Sequence, residues 1–215
     1  MKLVIVESPS KAKTITKYLG PGYRVIASGG HVSDLPQKSL GIDVNNNYKP
    51  EYVITPSKEE TIKRIKSELA KCDKVYLATD PDREGEAISW HLANVCGIKD
   101  KNVRIVFNEI SKKAVNAAIE NPHGINMNLV NAQQARRVLD RLVGYELSPV
   151  ISRKVKGAMS AGRVQSVALK MIVQREREIR NFKPEEYWNI SAFLLQEGKS
   201  AVFKCEFVDV DGKKY

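Results

Sequence analysis

Val75-Tyr76-Leu77-Ala78-Thr79-Asp80-Pro81-Asp82-Arg83-Glu84-Gly85-Glu86 opens on apolar residues and closes on an acidic cluster. The apolar run has the length of a buried strand, and the periodic stretch 84–95 that follows predicts a helix. A carboxylate cluster at such a strand-to-helix junction lies at the carboxyl edge of a parallel sheet, where α/β proteins bind ligands. Asp80, Asp82 and Glu84 alternate, so an extended backbone would turn all three to one side. Three carboxylates held together repel one another unless a cation neutralises them. Oxygen donors of this kind suit Mg²⁺, which also binds phosphate oxygens. Acidic capping of the helix start accounts for one or two of these carboxylates, but poorly for the whole Asp-x-Asp-x-Glu run.

Outward from the cluster the same unit recurs. Residues 3–6 read as a buried strand, Glu7 follows directly, and a helix runs from about 10 to 19. Strand ends meet in a parallel sheet, so Glu7 could face Asp80 and Asp82, with Lys11 one helical turn on and within reach of a phosphate. Taken alone, Glu7 fits a helix-start charge as well as a catalytic group. Residues 24–27 predict a second strand ending at Gly29-Gly30, and 31–56, rich in Gly, Pro, Asn and Asp, an irregular connection with His31 in its first turn. A helix is expected over 58–71, a strand over 103–107 and a helix over 111–120. The fold class is therefore α/β, a largely parallel sheet flanked by helices.

Residues 121–124 (Asn-Pro-His-Gly) break the pattern and mark the expected end of this domain. Beyond it, 128–146 and 162–182 predict two long helices, joined by a segment containing Pro149 and Gly157. The second has an apolar stripe of Val164, Val167, Ala168, Met171 and Ile172. Residues 187–195 and 201–210 alternate like two strands, followed by a turn signal at 211–215. The expected domains are 1–124, 125–186 and 187–215, the last a short β tail.

The 215 residues carry 35 Lys+Arg against 25 Asp+Glu, a net charge of +10. Residues 131–183 alone hold 12 basic and 4 acidic side chains, which points to a polyanion partner. A hydrophobic fraction of 42% excludes a wholly disordered chain. No apolar run nears the roughly 20 residues of a membrane span, so no membrane partner is expected. Three cysteines (72, 96 and 205) form no Cys-x-x-Cys pair and leave an odd thiol, against both a secreted disulfide scaffold and a zinc ribbon. A reduced, cytoplasmic protein is expected. The sequence contains no P-loop and no Gly-x-Gly-x-x-Gly, and its histidines lack zinc-protease spacing.

The stretches Val4-Ile5-Val6-Glu7-Ser8-Pro9-Ser10-Lys11-Ala12-Lys13, Gly30-His31-Val32-Ser33-Asp34-Leu35-Pro36 and Ala78-Thr79-Asp80-Pro81-Asp82-Arg83-Glu84-Gly85-Glu86-Ala87 resemble type IA DNA topoisomerases, the bacterial members most closely. The first and third resemble the Toprim domain, which primases and some nucleases share. Ala135-Arg136-Arg137-Val138-Leu139-Asp140-Arg141 and Ser160-Ala161-Gly162-Arg163-Val164-Gln165-Ser166 resemble the helical domain that holds single-stranded DNA against it. The resemblance covers residues 3 to about 188. It implies Glu7 as the acid/base residue, with Lys11 and Arg83 stabilising phosphate charge. It implies Asp80, Asp82 and Glu84 as Mg²⁺ ligands, Glu7 sharing an ion. It implies His31, Arg136, Arg137, Arg141 and residues Ser160, Ala161, Gly162, Arg163, Val164 and Gln165 as DNA contacts. The implied activity is ATP-independent breakage and rejoining of single-stranded DNA, relaxing negatively supercoiled DNA.

The sequence departs from the family in one respect. Type IA enzymes cut with a tyrosine in a Tyr-x-Arg-Thr-type segment, and none of the eight tyrosines (18, 23, 48, 52, 76, 145, 187 and 215) has that context. The expectation is an N-terminal fragment that binds metal and DNA without relaxing it, the nucleophilic tyrosine lying on the remainder of the same polypeptide. A primase-like or nuclease Toprim protein, or a non-catalytic DNA-binding module, are the alternatives.

Overall fold

The structure is a computed structural model that describes residues 1–157, 160–210 and 212. Most of the 211–215 turn signal, Tyr215 included, lies outside the described residues. The chain forms two compact units, Met1–Ser166 and Val167–Tyr215.

In the first unit, β1 (Lys2–Val6) is followed by α1 (Pro9–Leu19), capped by Ser8, and by β2 (Tyr23–Ala27). Four two-residue strands come next: β3 (Ser33–Asp34), β4 (Ile42–Asp43), β5 (Lys49–Pro50) and β6 (Val53–Ile54), pairing β3 with β6 and β4 with β5. A 3-10 turn (Pro56–Lys58) leads into α2 (Glu59–Leu69), then β7 (Lys74–Leu77), α3 (Arg83–Cys96), α4 (Lys112–Glu120) and α5 (Met127–Lys154).

The sheet has the order β2-β1-β7, and both pairings are parallel. Leu3, Val4, Ile5 and Val6 are all fully buried, as a central strand covered on both faces requires. Leu3 and Ile5 pack with Ile62 and Ile65 of α2 and Ile88 and Leu92 of α3. Val4 and Val6 point the other way, to Ile15 of α1 and Val115 and Ile119 of α4. The two-residue side-chain period of β1 thus sorts the helices into two layers and fixes the sheet register.

The strand expected at 103–107 is reduced to a single parallel bridge between Arg104 and Leu77. Leu77 N–H donates to Val103 O and Ile105 N–H to Leu77 O. The ladder stops there because the next carbonyls along, Thr79 O and Asp80 O, accept from the Arg104 guanidinium instead, at 2.9 and 2.6 Å. The 121–124 break also joins the sheet, His123 and Arg104 exchanging both backbone hydrogen bonds at 2.9 Å.

The helix expected over 128–146 continues to Lys154, through Pro149. Proline removes one N–H of the ladder, and the backbone resumes i→i−4 bonding beyond it, Val155 N–H donating to Ile151 O. The Asn126 side chain caps the start, accepting from Asn128 and Leu129 N–H. Val130 and Gln133 are buried where α5 meets α3.

The boundary between the units falls within α6 (Arg163–Asn181). The apolar stripe read there, Val164 to Ile172, is exposed, as are its arginines. The second unit ends in an antiparallel hairpin, β8 (Ser191–Leu195) with β9 (Val202–Glu206), shorter than the alternation suggested. No helix among the described residues is long and apolar enough to cross a membrane, and all three cysteines are free.

Candidate functional site

The carboxyl edge of the sheet gathers three backbone segments. Ala78 N–H donates to Ile5 O and Ser28 N–H to Val6 O, each at 2.8 Å, and Gly30 N–H to Glu7 O at 3.1 Å. These bonds bring the chain after β1, β2 and β7 to one place. Glu7, Lys11 and Asp80 meet there. The Lys11 ammonium, one helical turn beyond Glu7, bridges Glu7 Oε1 and Asp80 Oδ1. Burial, with Asp80 beside it, pushes the Glu7 carboxyl above the usual range. A hydrogen bond from Glu7, outweighing burial and joined by Lys11, holds Asp80 below it. Burial works against the Lys11 charge, but the two carboxylates outweigh it and raise its pKa.

The next two carboxylates do not continue that cluster. Asp82 caps α3, its Oδ1 accepting from Gly85 N–H at 2.7 Å, so the helix begins before Glu84 and the extended alternation expected from sequence does not form. Glu84 turns toward α5 instead. Its Oε2 lies 3.4 Å from His31 Nε2 and accepts from Gln133 Nε2 at 3.1 Å. Among the described residues no group of three or more His, Cys, Asp or Glu is close enough to hold a metal ion. The donor chemistry nevertheless suits a hard cation: carboxylate oxygens only, at a spot where Glu7 and Asp80 already collect one positive charge, that of Lys11. Arg83 is exposed at the first position of α3 and forms no ion pair among the described residues.

Gly85 explains one fixed feature of the motif. A Cβ there would lie 2.2 Å from Asp80 O, so only glycine lets the first turn of α3 sit against the Asp80 backbone. The loop is held from below by Arg104, which is fully buried. Its guanidinium donates to the carbonyls of Leu77, Thr79, Asp80 and Ile105, and its Nε to Glu86 Oε2 at 2.8 Å. The other Glu86 oxygen accepts from Asn126 N–H at 2.6 Å, at the cap of α5. One buried ion pair therefore ties the acidic loop, α3 and the start of α5 together. Sequence reading missed both members: Arg104 lies in an apolar run and Glu86 resembles another solvated charge of the cluster. The available signal was a charged residue at the centre of an expected buried strand.

Beside Glu84 lies a cavity of about 350 Å³, lined by His31, Asp34, Tyr52, His91, Gln133 and the polar face of α5. Arg137 grips Asp34 with two hydrogen bonds, of 2.9 and 2.5 Å. Burial opposes the Asp34 charge, and Arg137 with the Leu35 N–H more than offsets it, leaving the carboxyl below its usual range. Asp140 receives Arg163 at 2.9 Å and Arg136 at 3.8 Å. His91 is buried against Tyr52 and Trp90 and shares a 2.7 Å hydrogen bond with Ser33 Oγ. Burial, with His31 nearby, lowers its pKa to about 4. Burial pushes the Tyr52 hydroxyl up to about 12. Two buried atoms in this lining, Tyr52 Oη and Gln133 Oε1, have no partner among the described residues.

Arg141 lies further along α5. It donates to Pro36 O at 2.8 Å and to the Tyr145 hydroxyl, which in turn donates to Gln37 O. It clamps the 35–39 loop to the helix. The 160–165 stretch reaches the same helix through Ala161, whose N–H and C=O both bond Ser148 Oγ, at 3.0 and 3.2 Å. Among the described residues a Cβ on Gly162 would meet the Gln165 side chain alone, at 3.4 Å, and none of them demands glycine there. Ser160, Val164 and Gln165 are exposed.

Both parts of the chain match known families. The Toprim domain family matches residues 2–110, and the DNA topoisomerase family matches residues 124–213. The solved structure of full-length topoisomerase I from Thermotoga maritima is similar, with 43% identity and a TM-score of 0.79. The match covers 99% of this chain and 35% of that one, so the chain spans about a third of the length of that relative.

Proposed function

The chain belongs to the type IA DNA topoisomerases, and from that premise we propose that it supplies the metal-binding and acid–base half of DNA strand passage. The whole protein breaks and rejoins single-stranded DNA without ATP and with Mg²⁺, and so relaxes negatively supercoiled DNA. We assign residues 1–124 to the metal-binding domain, 125–186 to DNA holding and 187–215 to the start of a further β-rich domain. The observation that carries this reading is the convergence of Glu7, Lys11 and Asp80 at the carboxyl edge of a parallel sheet.

Asp80 and Glu7 would hold Mg²⁺, with Asp82 and Glu84 joining them on release from Gly85 N–H and from Gln133 and His31. When bound, the ion neutralises charge on the phosphate oxygens. The Lys11 ammonium, lodged between two carboxylates, meets the charge that develops on the scissile phosphate, and Arg83 adds a second cation. The attacking tyrosine gives up its phenolic proton to solvent and forms an O–P bond as the bond from phosphorus to the 3′ oxygen breaks. Glu7 delivers its proton to that leaving oxygen and takes it back on rejoining. One phosphodiester replaces another, so ATP is not required.

His31, Arg136, Arg137, Arg141 and residues 160–165 would line the path of the strand. The unpartnered Gln133 Oε1 and Tyr52 hydroxyl offer polar partners to a base entering the cavity. The nucleophile belongs to the remainder of the polypeptide. The two tyrosines near the site are committed otherwise, Tyr52 to burial and Tyr145 to Gln37 O.

The test mixes the chain with end-labelled single-stranded DNA. The expected result is binding strengthened by Mg²⁺, a Mg²⁺ response lost in Asp80→Asn plus Asp82→Asn, and no covalent adduct after denaturation. An adduct would place the nucleophile within this chain, and binding indifferent to both Mg²⁺ and the substitutions would leave a DNA-binding module without a catalytic metal site.

A further inference from the structure

Two cationic side chains of α5 that line the cavity are already matched by carboxylates, Arg137 by Asp34 and Arg136 by Asp140. The β2 edge of the sheet is different. β2 pairs with β1 alone, and a cleft of about 430 Å³ lies between it, the start of α1 and the front of α2. Its lining includes Arg24, Lys58 and Arg64 and no carboxylate. Lys58 donates to Gly29 O at 2.6 Å and Ser28 O at 3.4 Å, and Arg64 to Ala27 O at 3.2 Å. Among the described residues neither has a carboxylate within ion-pair distance; Glu68 pairs with Arg24 at 3.4 Å and lies near enough to Arg64 for the two charges to interact.

Carbonyl anchoring has two consequences. It fixes where the positive charge sits without cancelling it, because a carbonyl brings a dipole and not a charge. It also occupies the acceptors at the end of an open edge strand, so that edge is poorly suited to pairing with another strand. What remains is an electropositive trough with ordered donors, fitted to an anion and not to a β-strand. The trough adjoins the candidate site through the turn it anchors: Ser28 and Gly30 N–H donate to Val6 and Glu7 carbonyls.

We propose that this cleft is a second phosphate-contact surface, which takes the backbone of the DNA strand where it extends beyond the Glu7–Asp80 site, with Arg24, Lys58 and Arg64 as its phosphate ligands. The lining contains no aromatic side chain on which a base could stack, so the contact is to the backbone and independent of sequence. The proposal rests on the reading of the chain as a DNA-handling protein.

The test compares mixed-sequence single-stranded oligonucleotides of about 6 and about 16 nucleotides across a salt series. Wild type is set against Arg24→Gln plus Arg64→Gln, and against Arg24→Glu, a change at a side chain with no backbone contact. Removing one cation that neutralises a single-strand phosphate should flatten the slope of log K against log salt by about 0.7. The double variant should therefore lose roughly 1.4 from the slope on the long oligonucleotide and nothing on the short one, with Arg24→Glu shifting in the same direction. Equal long-oligonucleotide slopes in all three proteins, with normal short-oligonucleotide binding, would overturn this proposal alone. Failure of wild type to bind either length would overturn the DNA reading and this proposal with it.

Discussion

His91 should make the stability of the first unit depend on pH in mildly acidic solution. Its imidazole is 3% exposed, enclosed by the edges of Tyr52 and Trp90, by His31 and by Ser33, with Asp34 the one carboxylate acting on it. The folded-state pKa is about 4 against an ordinary value of 6.5. Because the shift is downward, the unfolded chain binds the proton first. The contribution is fully present above 6.5 and is lost as pH falls from there toward 4. The full displacement corresponds to roughly 3 kcal/mol, of which ~2 kcal/mol is gone by pH 5. The assay is urea unfolding at pH 7.5 and pH 5.0, followed by Trp90 fluorescence in a Trp188→Phe background. His91→Gln keeps a polar partner for Ser33 while removing the titration. The parent should lose ~2 kcal/mol more than the Gln variant between the two pH values. Taking the difference between the proteins cancels groups that titrate independently of His91 in that range. Parallel pH profiles would refute the reasoning, since they would mean His91 protonates as readily in the folded chain as in the unfolded one.

Arg104→Met should cost ~3–5 kcal/mol in thermal or urea unfolding, because it leaves Glu86 charged and buried without its partner. Adding Glu86→Leu should recover much of that loss, and a single variant within ~1 kcal/mol of the parent would show that the buried pair does not hold the loop. Gly85→Ala should destabilise by ~1–3 kcal/mol, the new Cβ forcing α3 off the Asp80 backbone, and should weaken Mg²⁺ binding as measured by calorimetry. Unchanged melting and metal affinity would contradict the close approach. Ser148→Ala should cost about 1 kcal/mol and speed proteolysis around 160–162, since Ser148 Oγ satisfies both backbone groups of Ala161. Cleavage at the parental rate would show that this tether is not what orders the segment.

Some of this architecture was open to reading in one dimension. The run at 3–6 could only be a strand covered on both faces, and the junction at 79–86 could only lie at the edge of a sheet, because side-chain period and turn chemistry are local properties. Glu7 was expected to face both Asp80 and Asp82, with Lys11 near a phosphate there; the structure joins Glu7 and Asp80 through Lys11 and leaves Asp82 at the cap of α3. The strand at 103–107 and the end of α5 were misjudged, and the causes are not local. A guanidinium took the carbonyls that a longer ladder would need, and a proline cost α5 one hydrogen bond without ending it.

Chain order and residue type determined the α/β class, the family and the residues worth testing, since each rests on neighbours within a few positions. Only the tertiary structure decided how the carboxylates divide: Glu7 and Asp80 share Lys11, Asp82 is committed to a helix cap, and Glu84 turns to His31 and Gln133. It alone showed that Arg104 and Glu86 support the loop, that two polar atoms at the cavity lack partners among the described residues, and that Lys58 and Arg64 stand over a strand edge with no carboxylate among the described residues within ion-pair distance. Those facts depend on which side chains from distant segments come within hydrogen-bond reach, and packing sets that reach.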